Sequence, residues 1–587
     1  MSSLTHYLTE IVGESFKKAD LPAELGVVRL SDRPDLAQFQ CNGAMAAAKV
    51  AKKNPREIAQ SIKDDLDNDD VFRKVEIAGP GFINLNLTGK ALADFLGGVL
   101  QDERYGASIT AEENETMILD YGGPNIAKPM HVGHLRASII GDTLRRIFGF
   151  AGYETLGDVH MGDWGTHMGM IISEYLKTGR ADDVLQVDLA DDEAVADLMQ
   201  DLSEMYPKVS AACKNDETRK AGALEATVKI QAREPAYYTL WQKIKDASVI
   251  GMRNNFAALN VHFDLWKGEA DVHDYIAPMV EELKDKDLAV ESEGALVIDV
   301  SSADDKKDYP PLILYKKDGA VMYGTTDMAT LVERMKLYSP SRIIYVVDQR
   351  QHMHFEQVFR AVRKADIVPD DVELTHAGFG TMNGPDGKPF KTRAGGIMRL
   401  EDLIKMAREK ALARMDEAEI AQNMPEDEKQ DVASKVAIAA IKFADLQNQR
   451  VSDYIFDLDR FARFEGKTGP YLLYQTVRIK SLLRKAGAQG DSPGRYFDIR
   501  EQDRDLALVL CGYDDALRLT LENYAPHHLC DYAYKLAATF SSFYGNCHIL
   551  SEQDEALKSS RLALCALTAQ MLEHVLDLLG MDVPEKM

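Results

Sequence analysis

The chain has 587 residues, 45% of them hydrophobic and 28% charged, with a formal net charge of -25. That balance belongs to a soluble globular protein of about three to four domains, and it excludes a coat for polyanions while leaving room for a local basic patch. No apolar run reaches transmembrane length, no secretory segment opens the chain, and six scattered cysteines form no CxxC pair. Membrane insertion, a zinc ribbon and a disulfide framework are therefore not expected, and a reducing cytoplasm is.

Residues 1–108 read as one α+β unit. Leu8, Ile11, Val12 and Phe16 share a face of a first helix, Leu4 to Lys18. Val27–Leu30 reads as a strand, and 44–51 and 54–66 read as helices, the second with Pro55 in its first turn. Val75–Ala78, Gly79-Pro80-Gly81 and Phe82–Leu87 read as strand, turn, strand. Phe82 and Asn84 carry a ring that could stack on an unstacked base and an amide that could hydrogen-bond it. Equally, Phe82 could be core and Asn84 merely exposed.

A second unit, 109–399, opens with a strand at Thr116–Tyr121 and the breakers Gly122, Gly123 and Pro124. A helix with Leu135, Ile139, Ile140, Leu144, Ile147 and Phe148 at helical spacing follows. Between them stands His131-Val132-Gly133-His134. Two imidazoles three apart share a helical face, and a helix N-terminus offers free N–H groups suited to phosphate. Gly133 leaves room for a flat ring. Imidazoles there could hydrogen-bond the charge that grows on an attacked α-phosphate. Alone, such a pair is also compatible with surface residues or metal ligands.

Farther on, Met161–Thr166 suggests a tight turn, and 171–260 reads as a helical insertion whose acidic run, 181–205, presents a solvated face that repels RNA. Ala295–Val300, Ile313–Tyr315 and Ile343–Val347 are buried-strand candidates, and their alternation with helices argues for a parallel sheet that binds ligands beyond its strand ends. Tyr323 and Asp327 share a face at a helix start, Glu269 follows Gly268, and Gln351 lies just past a strand. A planar cation with five donors would need such carboxylates, amides and phenols. Taken singly, Asp327 reads as a helix cap and Glu269 as a surface acid.

Asn383 to Gly396 is a loop by composition, with Lys388, Lys391 and Arg393 among four glycines. It can be a solvated basic turn or a mobile cationic loop that closes on pyrophosphate. From 400 onward the chain is almost wholly helical: a stem over 400–465, where Lys435, Lys442 and Arg450 recur, and a final unit over 466–587. In the latter Thr468 is a plausible cap, Pro470 sits in the first turn, and Arg478, Lys480, Arg484 and Lys485 form a basic stripe, either a solvated face or an RNA contact.

Several of these strings together resemble one family. Pro124-Asn125-Ile126-Ala127-Lys128-Pro129, His131–His134 and Leu135-Arg136 look like the arginyl version of the HIGH signature of class I aminoacyl-tRNA synthetases. The GDWG string at 162–165, Asp515-Ala516-Leu517-Arg518 and the last nine residues resemble the same family, as does 35–43 with its extra N-terminal domain. The resemblance implies an α/β fold: a Rossmann-type parallel-sheet catalytic domain, an N-terminal D-loop-binding domain (1–108) using Phe82 and Asn84, and an all-α anticodon domain (466–587) to which Arg478 and Lys480 are assigned. It implies an arginine–tRNA ligase with ATP and Mg²⁺, no zinc, tRNA(Arg) as partner and a monomeric state. ATP would lie on Pro129, His131, Gly133 and His134, and arginine on Asn125, Glu269, Tyr323, Asp327 and Gln351. Phe390-Lys391-Thr392-Arg393 departs from the family's KMSKS wording, which shifts the lysine's role toward Lys128, aided by Lys388, Lys391 and Arg393. Another HIGH-type nucleotidyl transferase, or a non-catalytic RNA-binding relative, is the alternative.

Overall fold

The computed structural model describes residues 3–33, 35–111, 115–306, 309–317, 319–384, 386–388, 398–422, 424–487 and 497–587. The N-terminal unit folds four strands, β1 (Val28–Leu30), β2 (Phe39–Cys41), β3 (Phe72–Ala78) and β4 (Phe82–Leu87), into an antiparallel sheet of order β1-β2-β4-β3. The helices Leu4–Lys18, Gly43–Ala51 and Pro55–Leu66 pack with it and with one another. Pro55 opens its helix, and the Asn54 side chain accepts from the Arg56 N–H at 2.9 Å, as its composition predicts.

The sheet of the second unit has four parallel strands: β5 (Thr116–Tyr121), β6 (Glu154–Asp158), β10 (Arg342–Val346) and β11 (Glu373–His376), in the order β11-β10-β5-β6. Met117 to Tyr121 are buried without alternation, because helices cover both faces. From β5 the chain crosses through the helix Leu135–Phe150 to β6 on one side, while β10 lies on the other. The strand order therefore reverses between β5 and β10, and loops leaving there open a crevice.

Two of the three predicted buried strands are not in that sheet. β7 (Ala289–Ser292), β8 (Ala295–Ile298) and β9 (Leu312–Tyr315) form a separate antiparallel sheet. Glu293 and Gly294 join β7 to β8 with φ of +50° and +83°, and a two-residue turn with both φ positive folds a strand back beside itself. Two short strands, β12 (Met382–Asn383) and β13 (Tyr454–Ile455), pair in parallel.

Five helices, from Thr166–Thr178 to Pro235–Ala258, make up the insertion. The far end is helical from Leu400–Glu417 to Glu555–Leu578, and Thr468 caps Gly469–Lys485 by accepting from the Tyr471 N–H at 3.2 Å. Lys442, one of three cations read along a single stretch, is fully buried. Its Nζ donates at 2.9 Å to the carbonyls of both Asn260 and Gly580, which ties the stem to the catalytic unit and to the last residues of the chain. Burial holds Lys442 down to about 8, against the pull of Asp142. All six cysteines are free and buried.

Candidate active site

The His131–His134 segment forms a tight 3₁₀ turn that feeds the helix Leu135–Phe150. His131 is extended and caps the turn, so the pair is brought together by a cap and not by a helical face. The ring centroids lie 4.1 Å apart. Nδ1 of His131 accepts from the Gly133 N–H at 3.0 Å, and Nδ1 of His134 accepts from the His131 N–H at 3.2 Å. A ring nitrogen that accepts carries no proton, so in the neutral rings both protons sit on Nε2. Burial, with the charges of His131 and Lys128, holds His134 down to about 3, and burial with Lys128 lowers His131. The two rings are thus neutral donors with fixed tautomers at physiological pH. Gly133 is exposed, and a Cβ there would press within 2.7 Å of the His131 ring.

Lys128 and Pro129 lie just ahead, both half-buried. The Lys128 ammonium sits 4.4 Å above the ring of Tyr206, on the insertion helix Asp192–Asn215. Gln200 and Ser203 of that helix accept from the Arg399 guanidinium at 2.8 and 2.9 Å. Arg399 in turn pairs its backbone with His131, while Val132 donates to Met398 and Leu400 to Met130. The acidic helix read as a solvated face therefore steadies two cations beside the histidines. Arg136 reaches from the same turn to the Gly380 carbonyl at 2.6 Å and the Asp445 carboxylate at 3.0 Å. Lys388 is exposed, whereas Lys391 and Arg393 lie outside the described residues.

The residues expected to hold the amino acid come from four places. Asn125 is exposed on the loop after β5 and forms a bridge with Gly162. Glu269 follows a turn shaped by Asp163, which accepts from the Ala270 N–H at 2.9 Å and pairs with Lys245 at 2.7 Å. Burial, with Asp163 and Asp327 nearby, pushes the Glu269 carboxyl up to about 7. Tyr323 opens the helix Tyr323–Tyr338 and is 73% exposed; burial of its hydroxyl end, then Glu269, raises its phenol. Asp327 lies one turn on, with His354 Nε2 2.5 Å from its Oδ2. Gln351 is exposed at the end of a short turn past β10. Glu269, Tyr323 and Asp327 are thus within electrostatic reach of one another, and an acid held near 7 beside a second carboxylate suits an incoming cation. Trp164 is buried edge-on against Trp241, a packing residue.

Sequence reasoning passed over Tyr206, Arg399 and His354. Each lies far along the chain from its partner, or in a segment whose composition signals solvent.

Away from the crevice, Phe82 is half-buried, and Asn84 is buried with its side-chain oxygen accepting from Gln40 at 2.8 Å. Arg478 lies over the Tyr544 ring at 4.7 Å. Lys480 pairs with Glu573 at 2.8 Å and Glu585 at 2.9 Å, so its charge is already committed within the chain.

Three family models match: "Arginyl tRNA synthetase N terminal domain" over residues 3–87, "tRNA synthetases class I (R), catalytic domain" over 96–458, and "DALR anticodon binding domain" over 472–587. The chain is 45% identical to the arginine–tRNA ligase of Agathobacter rectalis and 46% identical to that of Maricaulis maris, covering all of both chains in each pair. Its structure resembles the arginyl-tRNA synthetase of Plasmodium falciparum with a TM-score of 0.81 at 27% identity, over the whole of both chains. The Thermus thermophilus arginyl-tRNA synthetase shares the fold, with a TM-score of 0.80 at 23% identity and the same coverage.

Proposed function

This chain belongs to the arginyl-tRNA synthetase family of class I, and on that premise we propose that it joins arginine to tRNA(Arg) at the expense of ATP. The arginine carboxylate attacks the α-phosphorus of ATP, pyrophosphate leaves, and a mixed anhydride forms. A hydroxyl of the terminal ribose of tRNA then attacks the carbonyl carbon, and AMP leaves.

One observation carries the residue assignment. At the switch point of the sheet, two neutral imidazoles with fixed Nε2–H donors stand at a helix tip, and Glu269 and Asp327, close enough to perturb one another, supply the acids. His131 and His134 hydrogen-bond the α-phosphate as its charge grows, with Pro129 and Gly133 lining the nucleotide. Lys128, with Lys388, Lys391 and Arg393, takes the leaving pyrophosphate. Glu269 and Asp327 hold the guanidinium with Tyr323 and Gln351, and Asn125 lies at the α-amino and carboxyl groups. A pocket built this way rejects neutral citrulline, because an acid would be left unpaired.

Among the described residues no three His, Cys, Asp or Glu side chains converge on a metal position. Mg²⁺ accompanying the triphosphate belongs to the same reading, and no step above is routed through it.

Residues 1–108 meet the D-loop corner of tRNA, where the half-buried Phe82 is better placed than Asn84, buried and bonded to Gln40, and 466–587 meet the anticodon, where Arg478 is the better placed of the two assigned cations. The divisions 109–399 and 400–465 belong to the same reading, as do a monomeric state and a cytoplasmic site, the latter supported by six unpaired cysteines. The test is charging of a tRNA mixture with each of the twenty amino acids. Arginine alone should be transferred, and transfer of another amino acid, or of none, would overturn the reading.

A further inference from the structure

We propose that His354 is a positioning residue of the amino-acid pocket: it grips one oxygen of Asp327 and turns the other toward the substrate's side-chain cation. The inference rests on the reading above and deepens it. Asp327 stands one turn into the helix Tyr323–Tyr338, and His354 lies in the first turn of the facing helix His352–Lys364. Nε2 of His354 lies 2.5 Å from Oδ2 of Asp327, and among the described residues Oδ1 accepts no hydrogen bond. The imidazole is itself wedged. It meets Phe355 edge-on at 5.3 Å, and Phe355 packs against Tyr345 of β10 at 4.7 Å and His376 of β11 at 5.2 Å. A carboxylate has about four lone-pair positions, so a donor on one oxygen leaves the other free for a guanidinium and fixes the plane in which it is offered.

The same contact couples arginine to a proton. The hydrogen bond to Asp327, then its charge, raises His354 against the lowering effect of burial. Wherever the ring is protonated in the empty pocket, it stands in for the substrate's cation. When a guanidinium arrives, two cations compete for one carboxylate, and the ring releases its Nδ1 proton while Nε2–H still donates. Other groups face this place. Tyr345 comes from β10, and His376 and His352, 3.5 Å apart, from β11 and from His354's own helix. Glu269 approaches from the loop after Gly268. Burial, then His352, lowers His376. Glu269 is the second proton source, because a cation beside it draws its carboxyl down from about 7. Both effects have one sign: arginine binds more tightly as pH rises through the titration range of the empty pocket.

The experiment is calorimetric titration of arginine into the full chain at about pH 6 and about pH 8, in buffers of different ionisation enthalpy, for wild type, His354→Gln and His354→Leu. Wild type should release protons and bind more tightly at the higher pH. His354→Gln keeps a donor for Asp327, so at the higher pH it should bind within about threefold of wild type while losing the His354 share of the proton release. His354→Leu should weaken arginine roughly tenfold or more at the higher pH and leave the ATP KM unchanged. Unaltered proton release in His354→Gln, or unaltered arginine affinity in His354→Leu, would overturn the inference. If the leucine variant fails to fold, the proton count of His354→Gln decides alone. Wild type binding no arginine would instead sink the functional reading itself.

Discussion

In the proposed function Asp327 and Lys128 carry opposite halves of the chemistry, and their removal should be felt in different constants. Asp327→Ala leaves His354 and the guanidinium without their shared acceptor; it should raise the arginine KM by an amount on the order of 2–5 kcal/mol and move the ATP KM little, as read in arginine-dependent ATP–pyrophosphate exchange with tRNA present. Lys128→Ala should lower kcat of the same exchange roughly tenfold or more, about 1.4 kcal/mol. Near-normal exchange would hand the leaving group to the 388–393 loop alone. At this scale His131 and His134 were legible because their spacing, their glycine and the turn around them are local. His354 was not: its partner lies 27 residues away, and a histidine in the string Gln351-His352-Met353-His354 gives no sign of which acid it will meet.

The helix Asp192–Asn215 shows how composition can mislead about an element. Asp192, Glu193, Asp197 and Glu204 are exposed, yet the same helix sets Tyr206, Gln200 and Ser203 against Lys128 and Arg399. A flexible ammonium held over a ring loses less freedom when it is called on, a contact worth about 0.5–2 kcal/mol. Tyr206→Leu should therefore reduce kcat for exchange, Tyr206→Phe should restore it, and in a Lys128→Ala background Tyr206→Leu should add nothing. An equal loss in both backgrounds would mean that the ring serves only packing. Strands divide in the same way. β5 was plain from the apolar run Met117–Leu119, whereas in β11, Glu-Leu-Thr-His, three of the four residues are polar and the strand forms one edge of the sheet. The Glu293-Gly294 hairpin shows why β8 and β9 went astray: apolar content marks a strand, but only the turn sets its direction.

On the scale of the whole molecule, the three-part organisation follows from strings that stand far apart, and what joins the parts was hidden. Lys442, Asn260 and Gly580 meet at one buried joint, with Asn260 also bonding Asp582 at 3.1 Å and receiving Arg146 at 3.2 Å. Nothing in a lysine on a helical stretch announces that it will be buried between two carbonyls. Gly580 has φ of +69°, and a Cβ there would come within 2.4 Å of the Lys442 ammonium. Gly580→Val should destabilise the fold by about 1–3 kcal/mol, visible as a lower thermal midpoint, through backbone strain and a displaced lysine. The buried cysteines have a practical consequence of another kind. With every native thiol shielded, maleimide dyes should find almost nothing to react with on the folded protein. Cysteines introduced at exposed Lys214 on the insertion and exposed Lys535 near the far end would then be the only labelled positions. Energy transfer between such a pair would act as a ruler for how far the two ends of the molecule shift when a tRNA lies across them.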